Sequence, residues 1–372
     1  MKISIYTMTH KPFTPPADPI YRPLQAGCSN HAPLGYLRDD LGDNISAKNC
    51  YYSELTGLYW VYRNDTDSDI IGTCHYRRYL MDEVGHLMGE AAILDYLCGS
   101  TNVPQGRGVG DTSPFRRLIT TRQVHLNNSY RFGFSANHNL AALDTTGEVI
   151  RDLYPDYYDT YIRLVNGPNT YFGNMFITTR NLYMSYCEWL FTIFAEVEKR
   201  INLDTDEDAY HKRVLGFISE FLLLVWITVN NIEVMECKVA MLGEKAETHE
   251  LKMKLADCFV RRDEQEAKIL LLEALSKRPD LLMEASDITG ELRMSMELIA
   301  IVEEEREKEK ICLLDKETDF NSLMHIISEL NSAVLEAQND ARNESIRQKL
   351  SKTILNNTVS DSAIRIAETI LA

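Results

Sequence analysis

The sequence predicts an α/β domain built on a mainly parallel central sheet, followed by an all-α C-terminal domain. Two observations carry this reading. Through residue 235, short apolar runs alternate with amphipathic stretches, the pattern of strands joined by crossover helices. From residue 236 onward Pro279 is the only proline, tryptophan is absent, and Leu, Glu, Lys and Ala dominate. At 372 residues, 45% hydrophobic and 25% charged, the chain can bury a sizeable core, as one large domain or two. The composition change favours two, over residues 1–235 and 236–372.

The elements follow in order. Residues 2–8 read as an opening strand, 70–73 as a second and 170–178 as a third. Residues 46–63 carry a helical pattern, with Tyr52, Leu55, Tyr59 and Tyr62 close to three- and four-residue spacing and Asp43, Asn44 and Ser46 as cap candidates. Residues 183–200 and 208–229 read as helices. In the second domain Leu251, Leu255, Cys258 and Phe259 share a helical face, followed by Ala267, Leu270, Leu271 and Ala274 before Pro279 stops the run. Further helices are expected over 288–310, 319–338 and 343–371, the last broken near Asn356. The charged run at 303–310 reads as a solvated face laced with i,i+4 ion pairs.

Bulk chemistry narrows the function. A net charge of −16 argues against general nucleic-acid binding, because a polyanion is repelled unless a local basic patch intervenes. The eight cysteines are scattered with no CxxC pair, so reduced, mostly buried thiols are expected rather than a zinc site or disulfide framework. The N-terminal residues lack the apolar core of a signal peptide. The most apolar later stretch, 215–229, is interrupted by Ser219 and Glu220 and is shorter than the roughly 20 residues that cross a bilayer. A cytoplasmic location is expected, with any membrane contact peripheral.

Four segments concentrate polar side chains at predicted strand ends or helix starts. Thr9-His10-Lys11 follows the opening strand, where open α/β sheets bind ligands, and places His10 and Lys11 to meet an anion; an exposed Pro12 turn explains it equally well. Residues 39–49 hold Asp39, Asp40, Asp43, Asn44, Ser46 and Asn49, more groups than one helix cap uses, and the excess suits a ribose, a base or a sugar. The strand at 70–73 runs into His75, Tyr76, Arg77 and Arg78, whose guanidinium forks suit phosphate oxygens; pairing with Asp82 or Glu83 is the plainer alternative. Finally, Asn174 interrupts an apolar strand pattern, and Glu220 sits on a very apolar helix with Arg213 two turns earlier as its candidate partner.

Other patterns fail. Asp65-Thr66-Asp67 and Asp67-Ser68-Asp69 match a metal-binding DxD motif but precede a strand instead of following one, so a turn is expected. Gly106 to Gly110 resembles a fragment of a phosphate-cradling loop without the Lys-Ser/Thr of a P-loop.

Taken in order, the segments THKPF (9–13), LRDDLGDNISAKN (37–49), YSELTGLYWVYRN (52–64), IIGTCHYRRYL (70–80), GNMFIT (173–178), YCEWLFTIFAEVEKR (186–200) and KRVLGFISE (212–220) resemble the bacterial capsular and exopolysaccharide glycosyltransferase family. Phe221 stands where that family's late motif usually carries arginine, residues 99–136 fit poorly, and the helical tail is not covered. The resemblance implies a GT-A-like fold and transfer of a hexose, galactose or galactofuranose favoured, from a UDP-sugar to a polysaccharide or lipid-linked glycan. It implies a donor site drawn from Thr9, His10, Lys11, Asp39, Asp40, Asp43, Asn44, Ser46, Asn49, His75, Tyr76, Arg77, Arg78, Asn174 and Arg213. Asp144 and Glu220, with His138 behind them, are its candidates for the acid–base role. A divalent cation, Mn or Mg, is an optional cofactor with no assigned ligands. The helical tail is expected to serve oligomerisation, partner docking or peripheral attachment. A non-catalytic sugar-nucleotide or glycan-binding scaffold acting through that tail is the alternative.

Overall fold

The structure is a computed structural model that describes residues 1–99, 116–204, 208–243, 246–283, 287–308, 311–339 and 359–371. The chain divides into two compact units, Met1–Leu242 and Gly243–Ala372.

The first unit is organised by a mixed, mostly parallel sheet. In chain order its strands are β1 (Ile3–Thr9), β2 (Tyr21–Gln25), β3 (Leu37–Arg38), β4 (Ile70–His75), β5 (Arg78–Leu80), β6 (Arg117–Thr121), β9 (Phe176–Thr179), β10 (Glu233–Cys237) and β11 (Val239–Met241). A separate pair, β7 (Val124–His125) and β8 (Asn169–Thr170), lies between β6 and β9 in the chain. The spatial order is β10-β6-β9-β4-β1-β2-β3, with β5 and β11 paired beside it. β1 runs parallel to β2 and β4, and β6 parallel to β10, whereas β9 is antiparallel to both β4 and β6.

Every residue of β1 is buried, as a strand covered on both faces requires. Its side chains alternate between two cores. Tyr6 and Met8 join the larger core with Leu55 and Leu58 of α2 (Leu55–Asn64), Tyr183 and Tyr186 of α7 (Arg180–Arg200), and Leu222 and Trp226 of α8 (Val214–Val229). Ile3 and Ile5 join the opposite core with Ile93 and Leu97 of α3 (Glu90–Cys98). A short helix α1 (Asn49–Tyr52) precedes α2, and α4 (Tyr130–Asn137), α5 (Leu140–Leu153) and α6 (Pro155–Val165) form an excursion between β6 and β9.

The second unit is helical: α9 (Ala246–Val260), α10 (Glu264–Lys277), α11 (Glu291–Lys308), α12 (Leu313–Lys316), α13 (Phe320–Asn339) and α14 (Asp361–Leu371). Leu251, Leu255, Cys258, Phe259, Ala267 and Leu271 contribute to its core, with Leu270 and Ala274 partly buried against it.

Several expected elements change. Residues 46–63 do not form one helix: a 3-10 turn at Ser46–Lys48 leads into α1, and Ser53, at φ 52, breaks the chain before α2. The helix read from 208 begins at Val214, after a 3-10 turn at His211–Arg213. The strand read over 170–178 is interrupted at Gly173-Asn174. The charged run of α11 is not wholly solvated, because Glu305 is buried and accepts from the backbone N–H of Leu313 at 2.7 Å. Strands β10 and β11 carry the sheet to Met241, past the boundary expected at 235. Gly106–Gly110 and residues 343–358 lie outside the described residues. All eight cysteines are free thiols.

Asp65 replaces the rejected metal motif with a structural role. Its carboxylate accepts from the Tyr6 hydroxyl at 2.7 Å, the Ser68 hydroxyl at 2.6 Å and the Arg180 guanidinium at 2.7 Å, tying the turn before β4 to β1 and α7. Burial opposes its charge, but these donors outweigh burial and hold the carboxyl below the usual range. An Asp65→Asn variant should lose about 3 kcal/mol of unfolding free energy in urea at neutral pH, since one partner of a buried network is removed. A depressed native pKa stabilises above the unfolded value and is lost below it, so the difference between variant and wild type should shrink below about pH 4.

Candidate active site

Because β1 and β4 are parallel, both present their carboxyl ends at one edge of the sheet, with Met8 beside His75. The antiparallel β9 enters the sheet from that same edge, with Phe176 beside Thr73. The turn leading into β9, Gly173-Asn174, therefore meets the end of β4, and the Thr73 hydroxyl donates to the Asn174 carbonyl at 3.0 Å. Ligands of open α/β sheets bind beyond such strand ends.

Besides Thr73, four side chains converge on this two-residue turn. The His75 Nε2 donates to the Gly173 carbonyl oxygen. The Gly173 N–H donates to Glu220 Oε1 at 2.8 Å. The Asn174 amide donates to Glu54 Oε1 at 2.7 Å and to the Gly216 carbonyl at 3.2 Å, while its oxygen accepts from the Ser219 hydroxyl at 2.9 Å. Glu54 stands at the N-cap of α2, and Gly216, Ser219 and Glu220 lie on α8.

The backbone is bent to allow this. Gly173 has φ 99, which only glycine adopts freely, and Asn174 (φ 48) and Ser53 (φ 52) take positive values at a typical cost of about 1–3 kcal/mol each. Helix α8 approaches closely because Gly216 has no side chain; a Cβ there would lie 3.2 Å from the Ser53 Cβ.

Electrostatics separates the acidic groups. Burial, then the charge of Glu54, pushes the Glu220 carboxyl up to about 8, against the opposing pull of Arg78, the Gly173 N–H and Arg213. Burial also lowers His75, with Arg78 next in effect, to about 4, so the imidazole is neutral near pH 7. For Glu54 burial is outweighed by His75 and the Asn174 amide, and the carboxyl lies below its usual range. Hydrogen bonds from Asn174 and Ser53 also favour the ionised form of Glu54. Glu54, His75 and Glu220 are each half-buried, so solvent still reaches them.

Aromatic rings border the same edge. His10 meets Tyr76 edge-on at 5.5 Å, Phe13 meets Tyr76 at 6.0 Å, and Phe13 and Tyr36 are 5.5 Å apart. The Tyr36 hydroxyl accepts from the Phe13 N–H at 3.1 Å and donates to the Phe13 carbonyl at 2.9 Å, joining two loops.

Residues 4–231 match a family described as a domain of unknown function, DUF4422. The chain belongs to this family. The DUF4422 region carries the whole strand-end constellation, from His10 to Glu220. No curated protein matches the chain. Among solved structures the chain is similar to the apo structure of WbbM, a bifunctional glycosyltransferase, with 25% identity and a TM-score of 0.55. The match covers 66% of this chain and 46% of that one, so it spans less than half of WbbM's length.

The remaining sequence candidates fall elsewhere. Asp39 is fully buried and its carboxylate accepts from the Gly27 and Cys28 N–H groups at 2.7 and 3.0 Å and the Ser46 hydroxyl at 2.6 Å, so neither Asp39 nor Ser46 is open to a ligand. Thr9 is likewise buried, and its hydroxyl closes the turn that presents His10 and Lys11. Asp40 pairs with Arg38, Asn44 bonds to the Asp40 and Gly42 carbonyls, and Asn49 bonds to the Ser53 carbonyl. Asp43 pairs with Arg63 near the far end of α2, about 15 Å along the helix from Glu54.

Both oxygens of Asp144 are taken by the Arg131 guanidinium, across from α4 to α5. His138 stacks on Phe217 at 4.1 Å. The guanidinium of Arg213 lies over Tyr210 and Phe217 rather than forming an ion pair with Glu220 among the described residues. No ion pair joins Arg77 or Arg78 to Asp82 or Glu83 among them either; Asp82 instead accepts from the Val84 and His86 N–H groups. Glu54 and Ser219 were not among the sequence candidates for the site, because Asn174, which links them, lies 120 residues from Glu54.

No group of three or more His, Cys, Asp or Glu side chains is placed to hold a metal among the described residues.

A raised carboxyl favours the fold below its unfolded pKa, and that contribution is lost as pH rises through about 8. Glu220→Gln, which mimics the neutral acid, should therefore match wild type in urea unfolding near pH 4 and exceed it by about 1–2 kcal/mol at high pH, allowing for solvent screening.

Proposed function

We propose that this protein is a glycosyltransferase that moves a hexose, galactose or galactofuranose favoured, from a UDP-sugar to a polysaccharide or lipid-linked acceptor in cell-surface glycan synthesis. The observation that carries the reading is the meeting of a basic strand end, His75 to Arg78, with a proton-holding carboxyl, Glu220, at one sheet edge of a chain similar to WbbM.

Transfer from a nucleoside diphosphate places negative charge on the departing phosphate. Fixed positive charge there lowers the barrier. Arg77, Arg78 and Lys11 supply it, and His10, Tyr76, Phe13 and Tyr36 border the nucleoside. Of Asp144, His138 and Glu220, the last is the base: Gly173 anchors one of its oxygens, and in its ionised form, which prevails only above about pH 8, the other takes the acceptor hydroxyl's proton. The acceptor oxygen bonds to the anomeric carbon as the bond from that carbon to the phosphate oxygen breaks, and the electron pair leaves with the diphosphate. No described helix is long and apolar enough to cross a membrane. We assign the reaction to the inner membrane face, with the second unit docking partners or a second copy.

Incubation with UDP-, GDP- and CMP-sugars should show donor hydrolysis and a raised melting temperature with UDP-sugars; no effect from any donor overturns the reading. Arg78→Ala should weaken donor binding about tenfold or more, as expected when a charged hydrogen bond worth about 1.5–3 kcal/mol is removed. Glu220→Gln should lower turnover about 100-fold or more with donor binding retained.

A further inference from the structure

We propose that Glu54 is a positioning residue for Glu220, acting through Asn174 and through its own charge. The inference rests on the transfer reading above and adds a residue to that machinery.

The first support is the bonding of Asn174. Its two amide hydrogens go to Glu54 and to the Gly216 carbonyl, and its oxygen receives the Ser219 hydroxyl. Flipping the amide would turn its oxygen towards a carboxylate and a carbonyl, so the orientation is fixed by these partners. Both connections from Asn174 end beside Glu220. Through the backbone it adjoins Gly173, whose N–H holds Glu220 Oε1; through its oxygen it holds Ser219, the preceding residue on α8. Without the Glu54 carboxylate, a buried amide hydrogen loses its acceptor and the left-handed turn loses an anchor.

The second support is charge. The groups acting on this carboxyl pair are His75 and Arg78 at the end of β4 and start of β5 and Arg213 before α8, with His10 after β1 acting on His75 and Tyr130 of α4 facing Glu220. Within that set Glu54 is the like charge for Glu220, and it favours the protonated form of its neighbour. A carboxylate that binds its proton more strongly is a better base towards an acceptor hydroxyl. Glu54 itself exchanges no proton in the reaction. The strained φ of Ser53, immediately before it, is the local expense of placing Glu54 at the head of α2.

The test uses the full chain and two variants. Glu54→Gln retains an oxygen for Asn174 but removes the charge, whereas Glu54→Ala removes both. Sugar-nucleotide hydrolysis with water as acceptor is followed from about pH 5 to 10, and UDP binding is read from thermal shift. In Glu54→Gln the acidic limb of the kcat profile should move down by about one pH unit or more, with UDP binding unchanged. In Glu54→Ala kcat should fall about 100-fold, the scale of a misplaced catalytic group. The carboxyl titration of Glu220, followed by carbon NMR, should move the same way in Glu54→Gln without any turnover. An unmoved Glu220 titration in a folded Glu54→Gln protein overturns the proposal. If the titration moves but wild type hydrolyses no sugar nucleotide, the transfer reading fails and the coupling of Glu54 to Glu220 stands.

Discussion

The arrangement at the sheet edge depends on one constraint: the turn at Gly173-Asn174 must satisfy several partners at once. Its carbonyl holds His75, its N–H holds Glu220, and its amide side chain holds Glu54 and Ser219. Those partners come from β4, from the head of α2 and from α8. The turn is thus where the sheet and two helices of the larger core are set relative to one another. Positive φ at Gly173, Asn174 and Ser53 is tolerated because so many hydrogen bonds over-determine the conformation.

The same constraint explains why two neighbouring carboxyls behave differently. Glu54 receives a donor from an amide whose other hydrogen goes to the Gly216 carbonyl, and its ionised form is favoured despite its surroundings. Glu220 receives a single backbone N–H and faces that ionised neighbour, so it holds its proton. Environments that push two titratable groups apart are a recurring basis for acid–base roles. Here the separation arises from burial first, then from like charge and hydrogen-bond count, with His75 and Arg78 as the nearby basic groups.

Much of the fold was legible in residue pattern. The short apolar-rich segments of β1 and β4 suit strands buried on both faces, and the C-terminal stretch poor in proline and without tryptophan is the helical one, beginning after β11 ends at Met241. What periodicity could not show was interruption. The Tyr52–Tyr62 spacing persists across Ser53, so the break there is set by contact with Gly216 and not by local propensity. Of the candidate site, His75 and Glu220 could be picked out as polar groups on apolar elements. Asp39 looked equally promising, since a carboxylate that ligates a loop and one that ligates a substrate read alike in sequence; burial separates them. Glu54 was hidden because its partner lies 120 residues away.

β6 and β9 are neighbours in the sheet, yet the chain between them makes a long helical excursion, α4 to α6, before returning. An excursion between adjacent strands can lengthen, shorten or be exchanged without changing which strands pair. Here it packs on α8, with Tyr130 stacked on Phe221 at 4.4 Å and His138 on Phe217. The region flanking the Glu220 helix is therefore modular: new surface can be installed beside the carboxyl while β1, β4 and the Gly173-Asn174 turn stay fixed. Such a topology lets the flanking surface change shape while the paired strands keep their register.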